Sequence, residues 1–336
     1  MKRKKLFGTL CVAGAVLVVF VLLAACGAPP TPAPQFTLRV GFYPVPGYLP
    51  YFVMQELGFD KQHGLQLVEK TPHAGGAAVM EAMAAGSADM GYIGSVPVLS
   101  AAERGLIPGT MVPVSANDFA GPDRQSVGVL AAHSVEGWRD LGRKFVAVNA
   151  VNSIQGAAIK VRLQQEGVQD YTLTEISFTN MGLAVAGGNV AAATMAEPFL
   201  TQSLLRGDGR LLGWIIGGPP FERMEVTLLV FSADYYRSKP EAIKAFLRAH
   251  LQAIKWINQN LEQARSILAR RLAISEGVAL KMALTYWPSD ARNDPALLES
   301  MQRAMVDIGL LKMTIPARQL YDETLLEEVL AEKPRG

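Results

Sequence analysis

Residues 36–105 read FTLRVGFYPVPGYLPYFVMQELGFDKQHGLQLVEKTPHAGGAAVMEAMAAGSADMGYIGSVPVLSAAERG, and three short apolar runs set their rhythm. The run at 36–42 is expected to be a strand, followed by a loop carrying Pro44, Pro46 and Gly47. A helix opens at Pro50, where proline suits a first turn, and stops at Gly58. A second strand is expected at 65–68, a loop at 71–76, a helix at 77–85 closed by Gly86, and a third strand at 90–93. Ser95 is placed to cap a helix running to Arg104, which Gly105 ends. Strand, loop and helix alternate three times, which implies parallel strands joined by helical crossovers.

Outward from this stretch the pattern restarts near Val127. Strands are expected at 145–148, 173–176 and 191–195, with Asn152 or Ser153 capping a helix that Gly167 ends. Pro198 starts another helix, and 210–213 is short and extended. Gly-Pro punctuation at Gly121-Pro122 and at Gly217-Gly218-Pro219-Pro220 separates the two α/β units. Two such breaks imply that the chain crosses between lobes twice, near 116–123 and 217–225, so that lobe 1 is discontinuous (36–118 and 222–330) around lobe 2 (119–221). The last third is helical, a scaffold expected on lobe 1. Ser238-Lys239-Pro240-Glu241 has the spacing of a capping box. After it Ile243, Phe246, Leu247, Leu251, Ile254 and Ile257 recur at helical spacing as one apolar face, and His250 on that helix is expected to be structural.

The N-terminus bears on location. Lys2, Arg3, Lys4 and Lys5 precede an uncharged run from Leu6 to Ala25, which ends in Leu23-Ala24-Ala25-Cys26. A basic start, an apolar stretch and small residues before a cut site describe a secretory signal over 1–25; the alternative is an uncleaved membrane anchor. The tetrad resembles the lipobox of bacterial lipoproteins. That resemblance implies acylation of Cys26 and lipid anchoring at the extracytoplasmic face of the cell membrane, with the Pro-rich tether 26–35 holding the body off the surface. Cys11 and Cys26 are the two cysteines. A processed chain would therefore lack thiols for a disulfide, a zinc site or nucleophilic catalysis. Removing the four basic residues of the leader takes the 32 Lys and Arg to 28 against 30 Asp and Glu, a net of about −2. No basic stripe remains to argue for nucleic acid.

Taken in order, LRVGFYP (38–44), YFVMQELGF (51–59), HGLQL (63–67), EAMAAGSADMGYIGSVPVL (81–99), DLGRKFVAV (140–148), AEPF (196–199) and KPEAIKAFLRAHLQAI (239–254) resemble the substrate-binding proteins of ABC importers. That family serves nitrate, taurine, alkanesulfonates, thiamine-pyrimidine precursors and riboflavin. The resemblance implies a two-lobed periplasmic-binding-protein fold of type II, with a hinge between lobes that closes on a small ligand. It also implies permease and ATPase subunits as partners, no cofactor, and a monomer.

In open parallel sheets, ligands sit beyond the carboxyl ends of the strands. The loops there are 43–50, 71–76, 92–96, 149–155, 179–183 and 195–198, and none contains Lys or Arg. Their candidate ligand contacts are Tyr43, Tyr48, His73, Tyr92, Ser95, Asn152, Ser153, Asn180 and Glu197. Rings favour a flat ligand, since stacking adds roughly 0.5–1.5 kcal/mol per pair beyond burial, while amides and a carboxylate can read a heterocycle's edge. Riboflavin leads on this reading and a thiamine pyrimidine precursor follows. The alternative is nitrate, taurine or an alkanesulfonate resting on helix N-termini. A thiamine-pyrimidine synthase-like enzyme on the same fold is the remote alternative. The sequence holds no Gly-x-Ser-x-Gly elbow, no His-Glu-x-x-His, no phosphate-binding Gly-rich loop ending in Lys, and no cysteine-rich iron motif.

Overall fold

The computed structural model describes residues 35–69 and 75–332. Cys26, the leader, the tether up to Pro34 and His73 lie outside the described residues. The body from Gln35 onward is a structural unit of its own. Among the described residues no helix is long and apolar enough to cross a membrane.

The 36–105 stretch folds as its rhythm implies. Strand β1 (Phe36–Gly41) pairs in parallel with β2 (Leu65–Glu69) and β3 (Met90–Gly94). Helices α1 (Leu49–Glu56), α2 (Phe59–Gln62), α3 (Gly76–Ala84) and α4 (Ser95–Glu103) make the crossovers and the following turn. Gly86 and Gly105 close α3 and α4 at φ of 70° and 74°, where a side chain would be strained. Helix α3 lies tight on the sheet because Gly41 and Gly91 leave room for Val79; a Cβ on either glycine would collide with its methyl.

The sheet is completed by two strands that local reading does not supply. Strand β4 (Met111–Ala120) is buried along its whole length, and β10 (Met224–Ser232) returns antiparallel between β3 and β4, giving the order β2-β1-β3-β10-β4. The second sheet, in the order β7-β6-β8-β5-β9, comprises β5 (Val127–Ala131), β6 (Phe145–Val148), β7 (Thr172–Glu175), β8 (Ala192–Ala196) and β9 (Arg210–Ile216). Helices α5 (Ile154–Gln165), α6 (Phe178–Ala186) and α7 (Phe199–Arg206) accompany it. The chain thus leaves the first sheet after Ala120 and re-enters it at Met224. Phe119 and Ala120 pair with Glu225 and Met224 in the first sheet, so lobe 1 runs past the expected residue 118.

Of the C-terminal helices, α8 (Ala233–Ser238), α9 (Pro240–Gln259), α10 (Leu261–Arg271), α11 (Glu276–Lys281) and α13 (Thr324–Leu330) stay with lobe 1. On α9, Ile243, Phe246, Leu247, Ile254 and Ile257 are buried together with Leu38, Val40 and Phe52, and Leu251 is half-buried. The Ser238 capping box does not form. Ser238 still belongs to α8 and donates its hydroxyl to Asp234 O, while Glu241 pairs with Lys244.

Helix α12 (Pro295–Asp307) departs from the expected lobe 1 scaffold. Its Leu298, Met301 and Met305 share one buried cluster with Val96 and Leu99 of α4 and with Val148 and Ile159 of lobe 2. An apolar seam therefore ties the two lobes together.

Candidate functional site

Between the carboxyl ends of the two sheets lies a cavity of about 370 Å³. Lobe 1 contributes Tyr43, Gly47, Gly75, Gly76 and Asp118 to its wall. Lobe 2 contributes Asn149, Asn152, Ser153, Phe178 and Glu197, and the segment after α11 adds Ala283 and Thr285. The walls approach closely, since a Cβ on Gly75 would lie 3.9 Å from Asn149 Nδ2. No Lys or Arg is among the described lining residues.

The structure separates the candidate residues into two groups. Tyr43 follows β1, lines the cavity half-buried, and packs edge-on against Tyr48 with centroids 5.1 Å apart. Tyr48 and Tyr92, expected to stack on ligand, are instead 1% and 0% exposed. The 3-10 turn Pro46–Tyr48 folds the Tyr48 ring into lobe 1, where its hydroxyl donates to Gly41 O at 3.0 Å. Its centroid lies 4.6 Å from that of Tyr92. The Tyr92 hydroxyl lies 3.4 Å from His250 Nδ1, so both rings are core. His250 is buried and its pKa is pushed down to about 3 by desolvation, the structural role expected of it.

Ser95 is also core rather than wall. It is fully buried and donates to Val226 O at 3.4 Å, and Gly94 occupies the N-cap position. Asn180 is exposed on α6 and outside the cavity wall. Ser153 does cap α5, accepting from Gly156 N at 3.2 Å and donating to Asn149 Oδ1 at 2.7 Å. That bond orients Asn149, a wall residue, while Asn152 beside it is exposed to the cavity.

Glu197 lines the cavity but is already engaged. It is 3% exposed. Its Oε2 accepts from Thr201 N at 3.1 Å, and Oε1 accepts from Thr201 Oγ1 at 2.9 Å and from Ala283 N at 3.1 Å. One carboxylate thus caps α7 in lobe 2 and ties it to the segment after α11. Burial raises its pKa, with those donors pulling back.

Asp118 is the wall residue that local reading missed. It is 1% exposed on β4, opposite Thr227 of β10. Its Oδ1 accepts from Asn117 Nδ2 at 3.1 Å and from the Thr227 hydroxyl. Burial raises its pKa, and the hydroxyls of Thr227 and Thr285 and the Asn117 amide oppose the rise. The available signal was the Asn117-Asp118 pair inside the mostly apolar run 111–120. Phe178, stacked on Phe199 at 5.4 Å, was also missed. Among the described residues no cluster of His, Cys, Asp and Glu could hold a metal ion.

Against this geometry, residues 31–273 match the NMT1-like family. The chain belongs to that family. No curated protein sequence matches it. Solved structures share the fold at low identity. The periplasmic aliphatic sulphonate-binding protein of Escherichia coli is 20% identical, with 85% of this chain and 91% of that one covered at a TM-score of 0.65. The ligand-binding component of an ABC-type import system from Staphylococcus aureus, solved with zinc bound, is 15% identical, with 88% and 99% covered at a TM-score of 0.74. A desulfurization enzyme has the fold as well, at 16% identity, 88% and 99% covered, and a TM-score of 0.67. These likenesses establish the periplasmic-binding-protein architecture.

Proposed function

We propose that this protein is the substrate-binding lipoprotein of an ABC importer, anchored through Cys26 and delivering a small flat heterocycle to a permease and its ATPase. The observation that carries this reading is the interlobe cavity whose described wall holds Tyr43 and Phe178 but no Lys or Arg. Apolar and aromatic walls with a few placed polar groups suit a small organic ligand. Riboflavin and a thiamine pyrimidine precursor both fit that description. The solved relatives include a sulphonate-binding protein, and residues at the N-termini of α3 and α5 line the cavity, which favours an anion. Asp118 and Glu197, lining the same cavity from opposite lobes, oppose one by like-charge repulsion. The nearby Arg265 is spent on the carbonyls of Ala279 and Met282.

Native mass spectrometry and absorbance of the purified protein should reveal a bound small molecule, yellow if it is a flavin. Tyr43→Ala should weaken its binding by roughly 1–3 kcal/mol, from lost burial and stacking, with the fold intact. Calorimetry checks this, and tight taurine binding without heterocycle binding would overturn the flat-ligand reading.

The anchor has its own test. Cys26→Ser is expected to leave the chain unlipidated and release it from membranes, as seen by fractionation. Mass spectrometry that finds no acyl group on wild-type Cys26 would defeat the anchor and leave the cavity reading untouched.

A further inference from the structure

The cavity floor carries a carboxylate with no cation beside it. Asp118 is 1% exposed, lines the cavity, and forms no ion pair among the described residues. The groups holding it are neutral: Asn117 on its own strand, Thr227 on β10, and Thr285 on the segment after α11. The charged neighbourhood offers no relief: Glu225, buried on β10, interacts unfavourably with Asp118 as well as with Asp294 and Glu323. One Glu225 oxygen accepts from Asp294 N at 2.9 Å, and the other has no hydrogen-bond partner among the described residues. Tyr43, the aromatic wall of the same cavity, also feels the field of Asp118. Glu197 across the cavity has Arg265 near it, and Asp118 has no such relief.

A buried carboxylate held only by neutral donors keeps part of its desolvation cost, which a counter-charge or further donors would offset. A ligand that brings N–H groups or positive charge to this floor removes the cost on binding, and an anion adds to it. Resting on the flat-ligand reading, we propose that Asp118 is the specificity-determining residue of the cavity and selects a nitrogen base that presents amino or protonated-nitrogen donors. Asp118 accepts those donors while the base lies against Tyr43, and neutral or anionic ligands without such donors gain nothing there.

The probe is 4-amino-5-hydroxymethyl-2-methylpyrimidine, titrated by calorimetry into the mature protein beside its analogue with methyl in place of the amino group, riboflavin, nitrate and ethanesulfonate. The aminopyrimidine should bind, the methyl analogue at least tenfold more weakly, and the anions not measurably. Asp118→Asn keeps the shape, loses the charge and adds a competing donor, so it should weaken the aminopyrimidine at least tenfold. Without ligand this variant should melt at or above the wild-type temperature. A carboxyl whose pKa is raised on folding loses stability as pH rises through that raised value, so the gap should widen with pH. Equal affinity for the amino and methyl compounds overturns the proposal on wild-type protein alone. So does failure of the aminopyrimidine to bind, unchanged affinity in Asp118→Asn, or tighter binding of an anion. If riboflavin binds with no loss in Asp118→Asn, the role of Asp118 falls and the flat-ligand reading stands.

Discussion

Tyr92→Ala is expected to destabilise the fold by about 3–5 kcal/mol, the usual cost of truncating a fully buried aromatic. The ring is 0% exposed, with its centroid 4.6 Å from that of Tyr48 and 5.8 Å from that of His250. Removing it opens a void in lobe 1 and takes the hydroxyl away from His250 Nδ1, whose Nε2 already has no partner among the described residues. Urea unfolding of Tyr92→Ala and Tyr43→Ala side by side separates core from cavity wall. The first should lose most of its stability. The second should lose little stability and show its effect in ligand binding. A Tyr92→Ala protein that unfolds like wild type while losing its ligand would put that ring back in the site.

Glu197→Ala should loosen the join between the lobes. Its carboxylate accepts from Thr201 N and Ala283 N, and the second donor belongs to the segment attached to lobe 1. Truncation leaves both N–H groups without their acceptor in a buried place, at about 1–3 kcal/mol for each unsatisfied group. Relief of a desolvated charge offsets part of that cost. Solution scattering should show a larger radius of gyration for the empty variant than for empty wild type, and a saturating ligand should shrink the difference. An unchanged radius with unchanged melting temperature would show that the apolar seam through α12 holds the lobes without Glu197. Glu197→Gln also distinguishes ligand classes: losing a negative charge should help an anion and should not help a base.

Much of the architecture was legible because it rests on local regularities. The alternation at 36–105, the closing glycines and the helical spacing of Ile243 to Ile257 each depend on residues a few positions apart. The Gly-Pro breaks at 121–122 and 217–220 fall between the end of β4 at Ala120 and the start of β5, and between β9 and β10. The long strands β4 and β10 were not legible as partners, because their pairing brings residues about a hundred positions apart into register.

The cavity wall was legible as a set of loops and illegible as a set of contacts. Tyr43 and Tyr48 lie five residues apart in one loop, yet the turn at Pro46–Tyr48 sends one ring to the cavity and the other into the core. Loop membership alone cannot assign that direction, because burial depends on what packs from elsewhere, here β3 and α9. By itself the sequence determined the two α/β units, the strand-end loops that border the cavity, and the lack of basic residues in those loops. Tertiary structure decided that Asp118 stands in the wall, that Glu197 is spent on Thr201 and Ala283, and that α12 joins the lobes. The physical reason is common to all three: each depends on a partner distant in sequence, which only the folded chain brings within hydrogen-bonding or packing distance.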